Sequence, residues 1–387
     1  MRIAFFADSY KPYLSGVTNS AETLVNELRR LGHRVFIFAP HYPGHQDTDP
    51  DIFRLPSLPG GYPKFRLALP WVKQVPEVEL IHSHSPFQAG LLAQLVARRR
   101  KLPLVYSFHT LFTRYVHFAK FVPPALAKAG IVGYLKAYCR GADSIIAPSK
   151  LARRVLRTWG IGQPVEVIPS GIELHKLSAE PTKTRAALRQ KFGLQPTDKV
   201  LLYAGRLSKE KNIPFLLEAF DRLSTLRLTA DDLRLVLVGG GPLFDELRIA
   251  NYELRKRIIL TGEIPYPEVL NYYFMGDIFV FASLTETQGL VLAEAKAAGL
   301  PVVALFAGGL TGTVRSGLDG YLTSRDPDAF ARHVARLSED DALRRRMSLA
   351  AREDARERFS SAVIAKQVET VYNSLIHQGR KTNVQSF

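Results

Sequence analysis

Two carboxylates stand out in the stretch "SLTETQGLVLAEAKAAG" (Ser283–Gly299): Glu286 and Glu294, separated by an apolar run that contains Gly289. The residues before them, "DIFVFAS", read as a strand, and those from Gly289 onward as a helix. Glu286 then lies in the strand–helix loop and Glu294 about a turn into the helix. The N–H groups near Gly289, Leu290 and Val291 have no intrahelical acceptor and are free to bind a phosphate. A carboxylate beside a phosphate needs donors to accept from, and sugar or ribose hydroxyls supply them. One ligand with phosphates between two polyol groups, a nucleotide sugar, fits both glutamates. Two surface glutamates on an amphipathic helix are the plainer alternative, and Glu294 fits it poorly because its neighbours are Leu, Val and Ala.

Other strand ends carry further candidates. In "YAGRLSKEKNI" (Tyr203–Ile213), Arg206 and Lys211 flank a turn into a helix expected near Asn212. Two fixed cations at a helix N-terminus make an anion site; a solvated basic loop is an equal reading of those residues alone. In "SYKPYLSGVTNSAETL" (Ser9–Leu24), Gly16 stands where a loop becomes a helix and permits close approach of a phosphate to backbone N–H groups. There is no G-x-G-x-x-G after the first strand and no G-x-x-x-x-G-K-[ST] loop, which argues against hydride transfer and P-loop phosphoryl transfer. "VGGGPL" (Val238–Leu243) reads as a structural glycine turn. His82 and His84 share a face of one strand end, and His109 ends the next strand. Hydrogen bonding is the expected role of these histidines, in preference to a metal site, with His109 placed to touch a polar substrate.

Short β-branched or aromatic runs alternate with helix-length segments throughout the chain. In the first half these runs are "RIAFFAD", "HRVFIFAP", "ELIHSHS", "PLVYSFHT", "DSIIAPS" and "VEVIPSG"; in the second, "KVLLYAGR", "LRLVLVGGG", "RIILTGE", "DIFVFASL" and "PVVALF". Near-continuous apolar strands separated by helices imply parallel sheets buried on both faces. Two such series predict an α/β chain of two doubly wound, Rossmann-like domains around a cleft, with ligands outside the carboxyl ends of the strands. The expected division is 1–172 and 183–359, joined by a linker over 173–182. A C-terminal helix over 360–377, able to pack back on the first domain, and a mobile tail over 378–387 complete the chain.

The chain has 387 residues and a net charge of +16. Residues 1–175 hold 22 Lys+Arg against 11 Asp+Glu, or +11, and the remainder 30 against 25, or +5. Arg98 to Arg157 contains 13 basic residues and one acid, Asp143. Solubility alone does not call for such a ratio, so an anionic partner is expected for the first half. No recognition module supports nucleic acid as that partner. One cysteine, Cys139, suits a reducing compartment. No stretch approaches the ~20 apolar residues of a spanning helix, and "MRIAFFADSY" reads as a first strand instead of a signal peptide.

With "ETQGLVLAE", "GRLSKEKNI", the "SGV" loop, "FHT" and "EAKAAGLPVVA" in view, nearly the whole chain resembles the GT-B glycosyltransferases of family four, the retaining class with an E-x7-E motif. The resemblance implies that Arg206 and Lys211 bind the donor diphosphate and stabilise the leaving group, and that Gly16 lets backbone amides reach the phosphates. It implies that Glu286 holds donor sugar hydroxyls, Glu294 the ribose, and His109 the transferred sugar. Backbone groups around Glu263 and Ile264 would hold the base. No metal or other cofactor is implied; the leaving phosphate oxygen would take the acceptor proton on one face of the sugar. One departure from the family pattern is "AGGLTGTV", with Thr311 and Gly312 where an acidic residue is usual.

Within the family, "YSFHTLFTRYVHFAKFVPP" (Tyr106–Pro124) is similar to the diacylglycerol glucosyltransferases. That similarity implies glucose transfer from UDP-glucose to 1,2-diacylglycerol by a cytoplasmic enzyme peripheral on the inner face of the membrane. Tyr115, His117, Lys120, Lys128, Lys136 and Arg140 are the expected acceptor and membrane contacts, a basic segment with an apolar component that can lie on an anionic leaflet. An interior helix would explain the apolar residues but not the lysines. Phosphatidylinositol, another glycolipid or a soluble sugar remain open as acceptors. A sugar-nucleotide epimerase and a nucleic-acid-binding protein are the remaining alternatives.

Overall fold

The computed structural model describes residues 1–13, 15–60, 65–114, 123–223, 232–249 and 256–384, with side chains through residue 378. The chain forms two compact units: Met1–Gly171 with Ser361–Phe387, and Ile172–Ser360.

In the first unit the strands are β1 (Arg2–Phe6), β2 (Arg34–Pro40), β3 (Ile52–Leu55), β6 (Leu80–Ser83), β7 (Leu104–Ser107), β8 (Ser144–Ala147) and β9 (Val165–Val167), with β4 (Ser57–Pro59) and β5 (Arg66–Ala68) forming a separate antiparallel pair. The main sheet has the order β3-β2-β1-β6-β7-β8-β9. All of its pairings are parallel. Every residue of β6, β7 and β8 is buried, as a sheet covered on both faces requires. The crossover helices are α1 (Gly16–Arg30), α2 (Gln88–Arg100), α3 (Pro124–Cys139) and α4 (Lys150–Thr158). In α1 the Ser15 hydroxyl caps the first turn by accepting from Thr18 N at 3.1 Å. Thr18, Ala21, Val25 and Leu28 then repeat at helical spacing to form its buried stripe.

The second unit contains α5 (Pro181–Lys191), β10 (Lys199–Ala204), α6 (Ile213–Leu223), β11 (Leu233–Val238), α7 (Phe244–Ile249), β12 (Ile258–Gly262), α8 (Val269–Tyr272), β13 (Ile278–Phe281), α9 (Leu290–Ala297), β14 (Val302–Leu305), β15 (Gly320–Thr323), α10 (Pro327–Glu339) and α11 (Asp341–Asp354). Its parallel sheet runs β12-β11-β10-β13-β14-β15. The strand order reverses between β10 and β13, as it does between β1 and β6 in the first sheet. Ligands of doubly wound sheets sit outside the carboxyl ends at such points.

The boundaries differ from the sequence expectation in two places. The stretch 173–182 is no free linker: Glu173 is buried, Leu174 and Leu177 pack against apolar cores of the second unit, and α5 already begins at Pro181. The last helix, α12 (Ser361–Val384), continues past residue 377 and through most of the expected tail. It belongs to the first unit, where Ile364, Val368 and Tyr372 share a core with Ile3, Val25 and Leu28. Strands β3 and β15 are not among the segments read from the sequence.

Candidate active site

At the switch point of the second sheet, β10 and β13 are neighbours, with Leu201 opposite Ile278. The loops that leave their carboxyl ends are therefore held side by side. After β10 the chain makes a one-turn 3-10 helix, Lys209–Lys211, and Asn212 adopts a left-handed conformation (φ 57°) before α6 starts at Ile213. The Asn212 side-chain amide donates to Ala282 O at 3.3 Å, and the Ser283 hydroxyl to Glu210 O at 3.3 Å. These cross-links bring Lys211 Nζ against Glu286 Oε1 in an ion pair. Arg206 is exposed beside them.

The α9 helix is preceded at its N-cap by Gly289, which has φ 76° and supplies no side-chain cap. A side chain there would be strained by the backbone conformation, and its Cβ would lie 2.5 Å from Leu310 Cδ2. The first N–H groups of the helix, including those of Leu290 and Val291, are left without intrahelical acceptors one turn from Glu286. Further along α9, Glu294 accepts from the Tyr273 hydroxyl through Oε2 at 2.7 Å. Burial pushes its carboxyl above the usual range, and the tyrosine bond offsets part of that rise. Tyr266, Leu174 and Ala297 border a cavity of about 10 Å³ beside it.

Glycines bring the neighbouring loops together. A Cβ on Gly239 would lie 2.2 Å from Gly205 O, and one on Gly241 2.5 Å from Leu207 O. The glycine turn after β11 thus packs on the loop that carries Arg206, and Leu207 N donates to Gly240 O at 2.8 Å. Glu263, exposed at the end of β12, lies against Gly240, while Ile264 packs on the core of this unit.

The first unit presents a different chemistry at its switch point. His84, just past β6, and His109, just past β7, meet through Nδ1 and Nε2 at 3.1 Å. His82 is wholly buried between two hydroxyls, Tyr372 at 2.6 Å from Nδ1 and Ser107 at 2.8 Å from Nε2. Desolvation pushes His82 down to about 3 and His109 to about 4, and it holds His84 well below the ordinary value too. All three rings are neutral at physiological pH. Asp8, after β1, is also buried: it accepts from Ala89 N at 2.8 Å and the Ser85 hydroxyl at 2.6 Å, and burial raises its pKa. Ser20, Thr23, Ser107, His84 and His109 border a cavity of about 30 Å³. Gly16 begins α1, and nothing lies within 4 Å of where its Cβ would be.

Of the expected membrane contacts, Tyr115, His117 and Lys120 lie outside the described residues. Lys128 and Arg140 are exposed, and Lys136 is half-buried beside Gly160. The α3 helix has two environments. Leu135, Tyr138 and Cys139 are core, whereas Leu126 is 65% exposed and Pro124, Ala125 and Lys128 are exposed as well. An interior-helix reading therefore holds only for its last turns.

Two features escaped the sequence reading. Asp47, Asp49 and Asp51 have the spacing of a carboxylate metal motif, but each pairs with an arginine: Arg54 at 2.6 Å, Arg29 at 2.6 Å and Arg34 at 3.0 Å. Lys296, inside the apolar run of α9, is fully buried with Asp319 and Asp354. A charged residue in a helix of Leu, Val and Ala was the available signal.

Two doubly wound units, with a cation–carboxylate pair and an open helix N-terminus at one switch point, have the fold of a GT-B glycosyltransferase, and the family models agree. Residues 14–176 match the family model for Glycosyltransferase Family 4, and residues 184–354 that for Glycosyl transferases group 1. The chain belongs to this glycosyltransferase family and is similar to alpha-monoglucosyldiacylglycerol synthases within it. It is 36% identical to an alpha-monoglucosyldiacylglycerol synthase of Streptococcus pneumoniae, over 79% of this chain and 71% of that one. It is 30% identical to the alpha-monoglucosyldiacylglycerol synthase of Acholeplasma laidlawii, over 98% and 99%. Among solved structures, Anabaena HepE in complex with UDP-glucose aligns with a TM-score of 0.70 at 19% identity, over 97% of this chain and all of that one.

Proposed function

We propose that the protein is a retaining, metal-independent glucosyltransferase that moves glucose from UDP-glucose to 1,2-diacylglycerol on the inner face of the cell membrane. The observation that carries this reading is the likeness, along nearly its full length, to a protein named for making an alpha-monoglucosyl diacylglycerol. A lipid acceptor is also supported by the exposed first half of α3, where Leu126 and Lys128 give an anionic leaflet both an apolar and a cationic contact.

In this reading Arg206 and Lys211 take the diphosphate together with the N–H groups at Gly289–Val291. Glu286 exchanges its lysine contact for sugar hydroxyls. Glu294 keeps Tyr273 on one oxygen and offers the other to the ribose, and backbone groups at Glu263 and Ile264 hold the base. His109, neutral, hydrogen-bonds the sugar being transferred. As the C–O bond to the diphosphate breaks, its oxygen accepts the acceptor hydroxyl proton, and the new glycosidic bond forms on the face the leaving group vacates. The positive charges stabilise the diphosphate as it departs.

An acceptor screen with labelled UDP-glucose tests the proposal, with diacylglycerol, phosphatidylinositol, a glycolipid and soluble sugars offered in separate reactions. The expected product is α-glucosyl diacylglycerol. Transfer confined to a soluble sugar, or a β-linked product by NMR, would overturn it. Release of an altered nucleotide sugar without acceptor would favour an epimerase.

A further inference from the structure

We propose that Thr313, held in place by the buried Lys296, is a positioning residue for the donor-binding turn Glu286–Val291; the inference rests on the donor-site reading above. The turn has no side-chain cap of its own, since α9 opens on a left-handed glycine. Its backbone is fixed from outside, by the loop after β14. The Thr313 hydroxyl donates to Gln288 O at 2.8 Å. Gly309 packs so closely that a Cβ there would lie 2.0 Å from Glu286 O.

That loop is in turn tied to a buried charge cluster. Lys296 Nζ donates to Thr313 O at 2.7 Å and to Asp319 Oδ2 at 3.0 Å, and it also pairs with Asp354. Arg315 Nε reaches Asp319 at 2.6 Å and Asp354 at 3.1 Å. Arg358 binds Asp354 at 2.9 Å with one arm and Gly312 O with the other. The lysine and both aspartates are fully buried. Removing one member would strand charge in the interior, so the cluster has one well-satisfied arrangement. The circuit closes on itself: α9 carries Lys296, Lys296 holds Thr313, Thr313 holds Gln288, and Gln288 leads into the first turn of α9. An anion site made of backbone N–H groups works only if those groups are already aimed, and this circuit aims them.

The test compares Thr313→Val, which keeps the shape and loses the hydroxyl, with Thr313→Ser, which keeps the hydroxyl. UDP and GDP are titrated calorimetrically into each full-length protein, and initial rates give separate KM values for donor and acceptor. Loss of this bond should weaken UDP binding and raise the donor KM about tenfold, with the acceptor KM unchanged and the serine variant close to wild type. Unchanged UDP affinity in Thr313→Val, or equal impairment in Thr313→Ser, would overturn the role. Wild-type protein that binds neither nucleotide would refute the donor reading itself, a distinct outcome. A second measurement needs no variant: hydrogen exchange of the wild-type chain should slow on adding UDP at residues 309–316 as well as at 286–294. Protection confined to 286–294 would count against the proposal.

Discussion

At the switch point of the second sheet Lys211 and Glu286 face each other as an ion pair, whereas at that of the first three histidines sit with their charges suppressed. The same topology thus supports two electrostatic regimes, set by burial. The Lys211 and Glu286 side chains retain 26% and 20% exposure, so both stay within reach of a ligand that would take the place of either partner. His82 and His84 are sealed under Phe5, whose ring centroid lies 4.8 and 4.7 Å from theirs. A diphosphate calls for fixed charge; a sugar or alcohol hydroxyl calls for neutral, directional hydrogen bonds.

The largest expected effect comes from removing the ionic side. Lys211→Ala and Glu286→Ala should each lower the transfer rate between about a hundredfold and a thousandfold, with the melting temperature nearly unchanged. Their double mutant should lose less than the product of the two, because they act on one ligand. Near-normal turnover in either single variant would sink the assignment. Next, Gly309→Ala pushes a methyl group into Glu286 O and should cost about a hundredfold in rate while the protein stays folded. A fully active Gly309→Ala would show that the Glu286 backbone can shift freely.

The neutral side makes a prediction about pH. Because folded His82 and His109 have pKa values near 3 and 4, below the unfolded value of 6.5, the unfolded chain binds their protons first as pH falls. Their contribution to stability is complete above about pH 6.5 and is lost as pH drops toward 4. Asp8 and Glu294, with raised pKa values, act in the opposite sense: their contribution is present below the unfolded carboxylate range and is lost as pH rises through the folded values. The ring NMR shifts of His82, His84 and His109 should stay flat from pH 8 to 5. An inflection near 6.5 in any of them would end the neutral-site account.

Smaller effects lie away from both switch points. Lys128→Gln should reduce partition onto anionic vesicles about fivefold, and not onto neutral ones, in co-sedimentation. Equal loss on both would remove the electrostatic part of the membrane reading. Gly130→Ala, in an open helical position with nothing within 4 Å of the added methyl, should raise stability by about 0.5–1 kcal/mol and leave turnover alone.

The sequence carried the two sheets well, because apolar runs ended by Gly, Glu, Arg or His mark strand ends directly. Lys211 and Glu286 are legible in the sequence as separate candidates, but not as partners of each other, since their ion pair depends on β10 lying beside β13. β15 escaped notice because "GYLT" is short and begins with glycine. Thr313 is not legible in the sequence, because its contact is one hydroxyl bonded to the Gln288 carbonyl, which no residue pattern signals. The α3 helix shows the limit in another form: its composition is uniform along its length, and only packing separates the exposed Leu126 from the buried Leu135.

The return of α12 to the first unit sets an order of events during synthesis. His82 needs the Tyr372 hydroxyl, Glu27 takes the Ser361 hydroxyl at 2.7 Å, and His33 meets Glu369 at 2.8 Å. All three partners emerge from the ribosome after the whole second unit, whose residues form a core of their own. The first sheet therefore waits, with one flank of its apolar core uncovered, for the last helix to be made. The domain that begins the chain is the one completed last.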